Sequence, residues 1–361
     1  MPLKNTILMS FPIKINKTAK SRLSEIELKN LAFGKTFTDH MLVADYYDGK
    51  WQSAEIMPYG LIPTAPSVYS LHYGQSIFEG MKAVKNAAGE AMMFRPLENW
   101  KRLNYSGHRM ALPEVPQDIF INGLKELLKL DKDWIPQEEG SALYIRPFLY
   151  AADELIGIKP TEHFKFKIIM SPVSAYYADP VKILVADKYV RACPGGTGDV
   201  KAAGNYGATM LPMLEAKEKG FDQVLWMDGN EFRYLNEIGS MNVFVQIGDT
   251  FLTPDIDGNI LDGITRKSII ALLKDEGYKV EERKIDIKEL VEAAEKGILN
   301  DAFGTGTAAS LAPIKLFGYK DTIIEVKPVE QRSITKHIKA RLDAIKSGAE
   351  ADKFDWVEKV E

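Results

Sequence analysis

The chain has 361 residues, a formal net charge of -4, 45% hydrophobic and 27% charged residues. That is a globular balance at a length suited to two domains, and the charge makes no electrostatic case for nucleic acid or a membrane surface. A single cysteine, Cys193, excludes a disulfide framework, a CxxC pair and a thiolate zinc site, and the five histidines lack H-x-x-H or H-E-x-x-H spacing, so no metal site is expected.

The first 24 residues are Lys-rich, but F-P-I-K-I-N within them alternates and carries Pro12, which reads as an N-terminal arm rather than a targeting segment. No run is long and apolar enough for a bilayer, and a cytoplasmic location is expected. The alternating L-V-A-D-Y-Y-D-G-K-W predicts a hairpin turning at Asp48-Gly49. In Leu71–Ala83, Gly74 and Gly80 let the backbone bend around Phe78 and Glu79. A strand at Met92–Pro96 leads into a helix with Trp100, Leu103 and Met110 on one face. Ile119, Phe120, Leu124, Leu127 and Leu128 predict an amphipathic helix over Asp118–Leu130, capped by Asp118. Ala142–Tyr150 and Phe164–Met170 read as strands, and Tyr144 and Arg146, two apart, share a face.

Pro172–Pro180 has turn residues, two prolines and no helical period, and reads as a linker with Tyr176 open to a cleft. The expected division is a smaller domain over 1–172, a linker over 173–182 and a larger domain over 183–361. Beyond it, Val181–Ala186, Gln223–Met227 and Asn242–Ile247 read as strands. Thr209–Gly220, Thr265–Gly277, Lys288–Gly297 and Val329–Gly348 read as helices. Asn236–Ser240 and Ala302–Pro313 read as turns. Neither G-x-G-x-x-G between strand and helix nor GxxxxGK[ST] occurs, which disfavours a dinucleotide site and a P-loop.

The chemistry centres on G-D-V-K-A-A-G-N-Y, residues 198–206. Lys201 sits among small residues, with Asn205 and Tyr206 close along the chain, as a lysine holding an aldehyde cofactor as a Schiff base requires. A phosphorylated cofactor also needs backbone N–H donors and a cation. Gly263-Ile264-Thr265 at a helix start and Gly304–Thr307 offer the donors, and Arg102 or Arg109 the cation, with spacing unable to choose. Glu237 is a candidate acid for a pyridine nitrogen.

F-G-K-T-F-T-D-H-M, L-H-Y-G-Q-S-I-F-E-G-M-K-A, L-Y-I-R-P, K-A-A-G-N-Y-G-A-T, Q-V-L-W-M, N-E-I-G-S-M-N-V-F, L-D-G-I-T-R and G-T-G-T-A-A occur in this order. In that order they resemble the branched-chain amino acid aminotransferases, pyridoxal-phosphate enzymes of class IV and fold type IV. The resemblance covers nearly the whole chain from Phe33. It implies an α+β, two-domain fold with mixed, barrel-like sheets, flanking helices and the cofactor, pyridoxal 5'-phosphate, at the domain interface. It implies that Lys201 is the catalytic, cofactor-linked lysine, that Tyr206 bonds the cofactor's phenolic oxygen, and that Glu237 pairs with the ring nitrogen. Arg102, Ile264, Thr265 and Thr307 match phosphate ligands, which selects Arg102 over Arg109. Thr307 and Ala308 resemble the turn receiving the α-carboxylate. Tyr73, Phe78, Tyr144 and Tyr176 resemble the side-chain pocket, and Arg146 the group accepting the second carboxylate of glutamate.

The implied reaction moves the amino group of L-leucine, L-isoleucine or L-valine to 2-oxoglutarate, in a homodimer. The chain departs from the family at Asp262, where Pro is usual, and at Asn236, where Thr is frequent. Neither change removes a donor or an acid. The A-A-S-L-A-P after the G-T-G-T turn lacks the C-x-x-C of some animal members. D-amino-acid aminotransferase and aminodeoxychorismate lyase are the nearest alternatives, argued against by Tyr144 with Arg146 and by chain length. A cofactor carrier without catalysis is the alternative of a different class.

Overall fold

A computed structural model describes residues 11–174 and 179–360. Two sheets organise them, one of ten strands and one of nine, both mixing parallel and antiparallel pairs. The first is built on the long antiparallel pair Ala142–Ala151 and Phe164–Val173. His40–Tyr47 flanks one side of the pair, and Met81–Lys85 and Ser76–Phe78 the other. The expected hairpin turns at Asp48 and Gly49, both with positive φ.

One face of this sheet is covered by helical residues that bury Phe120, Leu124, Leu127 and Leu128 against Leu42, Ile56 and Phe166. The helix expected over Asp118–Leu130 is in two parts, a wide π turn at Asp118–Asn122 and an α-helix at Gly123–Leu130. Asp118 does not cap it: its carboxylate accepts from Asn122 Nδ2 at 3.1 Å. A Cβ on Gly123 would overlap Leu42, so the glycine lets the helix lie close on the sheet.

The second sheet runs through Val181–Val185, Gln223–Met227, Leu235–Ile238, Met241–Ile247, Leu299–Gly306 and Ser310–Tyr319. It is packed on both faces. Val243 and Val245 join Leu225, Ile287, Leu290 and Phe317 on one side. Phe244 and Phe303, stacked with centroids 5.1 Å apart, meet Ile269, Leu273 and Leu342 on the other. The helices at Ile264–Asp275 and Ser333–Ser347 cover that second face. The tail then crosses back: Val357–Lys359 pairs with Ala91–Phe94 in the first sheet.

Two expected turns are mostly strand, with the chain turning only at Gly239–Ser240 and at 307–309. Leu235–Ile238 is a fully buried strand, so Glu237 is not in a polar loop. Ala302–Pro313 is a hairpin between Leu299–Gly306 and Ser310–Tyr319, with residues 307–309 as its tip. In both stretches glycine and polar side chains masked the strand pattern, and pairing with the neighbouring strands decided the outcome. The charged C-terminal helix starts at Ser333, after a short 3-10 turn at Val329–Gln331.

Candidate active site

Lys201 stands where the second half of the chain reaches the first sheet. Ala202 makes an antiparallel bridge to Ile77. The Phe78 N–H donates to Lys201 O at 3.1 Å, and the Ala203 N–H to Ser76 O at 2.9 Å. The small residues after Lys201 therefore let the backbone dock against Ser76–Phe78 through a single bridge, with Ala202 buried. A Cβ on Gly198 would overlap Ala192 and the Asn259 carbonyl, so the approach to Lys201 also needs a glycine. Ser106 on the Pro96–Arg109 helix accepts the Lys201 N–H at 3.0 Å.

The Lys201 ammonium donates to Tyr206 Oη at 2.9 Å and lies 5.0 Å from the Phe78 ring centre. Phe78 and Tyr206 rings are 4.8 Å apart. The charge of Lys201 is felt by two buried acids, Glu79 and Glu237, and that of Arg102 also reaches Glu237 and couples to Tyr206. The structure thus gathers Lys201, Tyr206, Phe78, Arg102 and Glu237 around one place.

Glu237 is 3% exposed. Its Oε2 is 2.5 Å from an Arg191 guanidinium nitrogen, and its Oε1 accepts from Asn242 Nδ2 at 2.9 Å. Burial pushes this carboxyl above the usual range, against the lowering influence of Arg191, Lys201 and Arg102. Arg191 also donates to the carbonyls of Gly198 and Asn259, and its buried Nε has no partner. Arg191, Val200, Tyr206, Glu237 and Leu261 enclose a small cavity of about 10 Å³.

Arg102 is held by Glu79. Its Nε and one terminal nitrogen bond the two carboxylate oxygens at 2.7 and 2.8 Å, and the other nitrogen donates to Asp262 O at 2.9 Å. Burial alone would raise the Glu79 carboxyl, but Arg102, then Lys201 and Asn99, hold it below the usual range. A guanidinium has five N–H groups, so this arrangement leaves two of Arg102's for a ligand.

The Ile264–Asp275 helix starts after Gly263 with no side-chain cap. Among the described hydrogen bonds, the N–H groups of Ile264 and Thr265 have no backbone partner. A Cβ on Gly263 would overlap Asn242 Oδ1, so this helix end sits directly against the Asn242 that holds Glu237. Thr307 Oγ1 donates to Gly80 O at 3.0 Å, bringing the second sheet's hairpin tip to the first sheet. The N–H groups of Thr307 and Ala308 also lack backbone partners among the described bonds.

Tyr144 and Arg146 share a face as expected: Arg146 donates to Tyr144 Oη at 2.9 Å, with its guanidinium carbon 4.6 Å from the Phe78 ring centre. Arg146 Nε is buried without a partner. A Cβ on Gly80 would overlap Tyr144 Oη, so any larger residue there would have to displace the Tyr144 hydroxyl. Tyr73 is not drawn into this group: its ring packs on Tyr69 at 4.6 Å and is 37% exposed. Tyr176 lies outside the described residues. Arg109 points elsewhere, donating to Gly195 O at 3.1 Å.

Sequence reasoning missed Arg191, Asn242 and the role of Glu79 as the holder of Arg102. Glu79 lies inside a motif already singled out, and its flanking glycine was the available signal. Arg191 carries none, because the carboxylate it holds is 46 positions away and its only near partner is the Gly198 backbone carbonyl.

Comparison with known proteins bears on the whole arrangement. Residues 76–317 match the model of the amino-transferase class IV family. Branched-chain-amino-acid aminotransferase 2 of Bacillus subtilis (strain 168) is 45% identical over 334 residues, covering 91% of this chain and 92% of that protein. Two solved branched-chain aminotransferases share the fold. That of Thermoproteus uzoniensis, solved with norvaline, has a TM-score of 0.72 at 23% identity, covering 88% of this chain and 99% of the other. The T.th. enzyme, solved with pyridoxamine 5'-phosphate, has a TM-score of 0.71 at 23% identity over 88% and 98%.

Proposed function

The chain belongs to the class IV aminotransferases, and among them to the branched-chain-amino-acid aminotransferases; from that premise we propose that it transfers the amino group of L-leucine, L-isoleucine or L-valine to 2-oxoglutarate, giving the branched 2-oxo acid and L-glutamate. The observation that carries the reading is the Lys201–Tyr206 contact of 2.9 Å with buried Glu237 and Arg102 around it.

Pyridoxal 5'-phosphate fits the residues present. The fit rests on the partnerless N–H groups of Ile264 and Thr265, the two spare N–H groups of Arg102, and a buried carboxylate at Glu237. In this reading Arg102, Ile264, Thr265 and Thr307 hold the phosphate, Tyr206 the phenolic oxygen and Glu237 the ring nitrogen. The cofactor supplies a carrier for the amino group and a sink for the electrons released at the substrate α-carbon.

The protein's own work is proton movement and positioning. Lys201 Nζ moves the proton at the α-carbon, and the Tyr206 hydroxyl fixes where Nζ points. Glu237 holds a proton or positive charge at its carboxylate, with Arg191 and Asn242 fixing its orientation. The N–H groups of Thr307 and Ala308 receive the α-carboxylate. Phe78 and Tyr144 line the apolar pocket, where discrimination rests on methylene-scale contacts. Arg146, with an unused Nε, accepts the distal carboxylate of glutamate.

The same reading keeps two domains, 1–172 and 183–361, joined by a linker over 173–182. It includes a homodimer, a cytoplasmic location and no nucleic-acid partner. Among the described residues no helix is long and apolar enough to cross a membrane. Light scattering on the purified protein is expected to give twice the 40.5 kDa chain mass.

Borohydride reduction followed by peptide mapping is expected to place a pyridoxyl group on Lys201. A modified lysine elsewhere overturns the site. L-leucine and D-alanine, offered separately with 2-oxoglutarate, test the reaction: turnover of D-alanine alone would replace this reading with a D-amino-acid aminotransferase.

A further inference from the structure

A second feature adjoins the ring site. A cavity of about 810 Å³ runs from Thr265 and Thr307 along the first sheet to the C-terminal helix. Its apolar lining includes Val84, Met92, Phe94 and Leu311. Its charged lining holds six cations, among them Lys82 on the Met81–Lys85 strand and Lys336, Lys339 and Lys346 on the helix, against the four carboxylates of Glu138, Glu139, Asp301 and Asp343.

The positive charge there is under-compensated. Among the described residues, Lys82 has no carboxylate within ion-pair distance. Lys346 has Asp343 at 3.8 Å, and that same carboxylate is held by Lys339 at 2.7 Å. Burial, then the charge of Lys346, pulls the Lys82 ammonium down to about 8. Lys346 is also lowered, chiefly by burial. Two half-buried ammonium groups, Lys82 without an ion-pair partner among the described residues and Lys346 sharing Asp343 with Lys339, form a site that a further anion would stabilise.

Both lysines touch the hairpin tip. Lys82 Nζ donates to Ala308 O at 2.6 Å, and Lys346 Nζ to Ser310 Oγ at 3.0 Å. Ser310 has φ of 55°, a left-handed value that a side chain other than glycine rarely takes. Each ammonium has three N–H groups, so each keeps donors for a ligand. A carboxylate reaching them would have an apolar body to lay against Val84, Met92 and Phe94. A bare inorganic anion would leave that lining in contact with water.

We propose that the part of this cavity at Lys82 and Lys346, adjoining the ring site, is a second ligand site that binds a small organic monocarboxylate with a compact apolar body between the two lysines. Its occupant draws the lysines away from Ala308 O and Ser310 Oγ and so alters the tip formed by Thr307 and Ala308. That last coupling rests on the proposed role of the tip in carboxylate binding; the binding itself does not.

The test is equilibrium binding of benzoate to the holoenzyme by calorimetry, with and without saturating L-leucine. A component that persists under L-leucine is expected, weakened about tenfold or more in Lys346→Met, which removes a charge-assisted contact at nearly constant volume. Ala340→Trp, which fills the cavity from an exposed position on the helix, is expected to remove the same component. Benzoate binding that L-leucine displaces completely, or that both variants leave unchanged, overturns the proposal. Inactivity toward L-leucine with persistent, Lys346-dependent benzoate binding would instead count against the proposed reaction and leave this site standing.

Discussion

Two buried glutamate–arginine pairs flank Lys201, and they are built differently. Glu79 and Arg102 meet through two parallel bonds of 2.7 and 2.8 Å, with Asn99 donating to the same carboxylate at 2.8 Å. Glu237 and Arg191 meet at one carboxylate oxygen, and Arg191 spends its other contacts on backbone carbonyls. The carboxyl of Glu79 is held below its usual range, while burial leaves that of Glu237 above it. The doubly bonded pair is a fixture that aims a cation. The singly bonded pair leaves an acid able to take a new cationic partner or a proton.

Substitution at Glu237 has the largest expected effect on activity. Glu237→Gln is expected to lower the L-leucine transamination rate about 10³-fold, within the range for losing a positioned acid–base group, with the fold retained by circular dichroism. A near-normal rate would remove the distinction between the pairs. Glu79→Gln acts mainly on stability. It leaves Arg102 buried with one charged partner fewer and is expected to cost about 3 kcal/mol in urea unfolding. If Glu79→Gln leaves stability unchanged and destroys catalysis, the assignment of Glu79 as a fixture fails.

Gly263→Ala sharpens the comparison from the Glu237 side. Its Cβ would displace Asn242, the second holder of Glu237. The expected cost is about 1–3 kcal/mol of overpacking, accompanied by weaker cofactor retention in a spectral titration. Retention equal to wild type would mean that Asn242 is dispensable.

The smallest expected effect is in pH dependence, read by urea unfolding of the cofactor-free chain. A carboxyl lowered on folding contributes stability above the unfolded value, 4.5 for Glu79, that is lost as pH falls through the folded value. A carboxyl raised on folding contributes below 4.5 and loses its contribution as pH rises through the folded value. Relative to wild type, Glu79→Gln is therefore expected to flatten the acid-side loss, and Glu237→Gln to deepen it. The same slope in both variants would contradict the opposite shifts.

Much of the site was legible because it is carried by short motifs. Lys201 and Tyr206 are five positions apart and meet, and the alternation around Tyr144 put Arg146 on the same face. The turn readings failed where strand residues were polar or glycine. Glu237, in N-E-I-G-S, looked like a loop acid because nothing local reveals a strand buried on both faces. Asp118 looked like a helix cap because the wide turn that follows it has no sequence signature.

By itself the sequence determined the amphipathic helices, the strand alternation of the first sheet and the order of the chemical motifs. These depend on side-chain period and backbone preference, which act over a few residues. Only the tertiary structure decided which charges are buried and what holds them. It paired Arg102 with Glu79, Arg191 with Glu237, and the backbone at Lys201–Ala203 with Ser76–Phe78 across more than 100 positions. A buried charge survives only where distant chain supplies its partner, so its place is a property of the packed molecule and not of its neighbours in sequence.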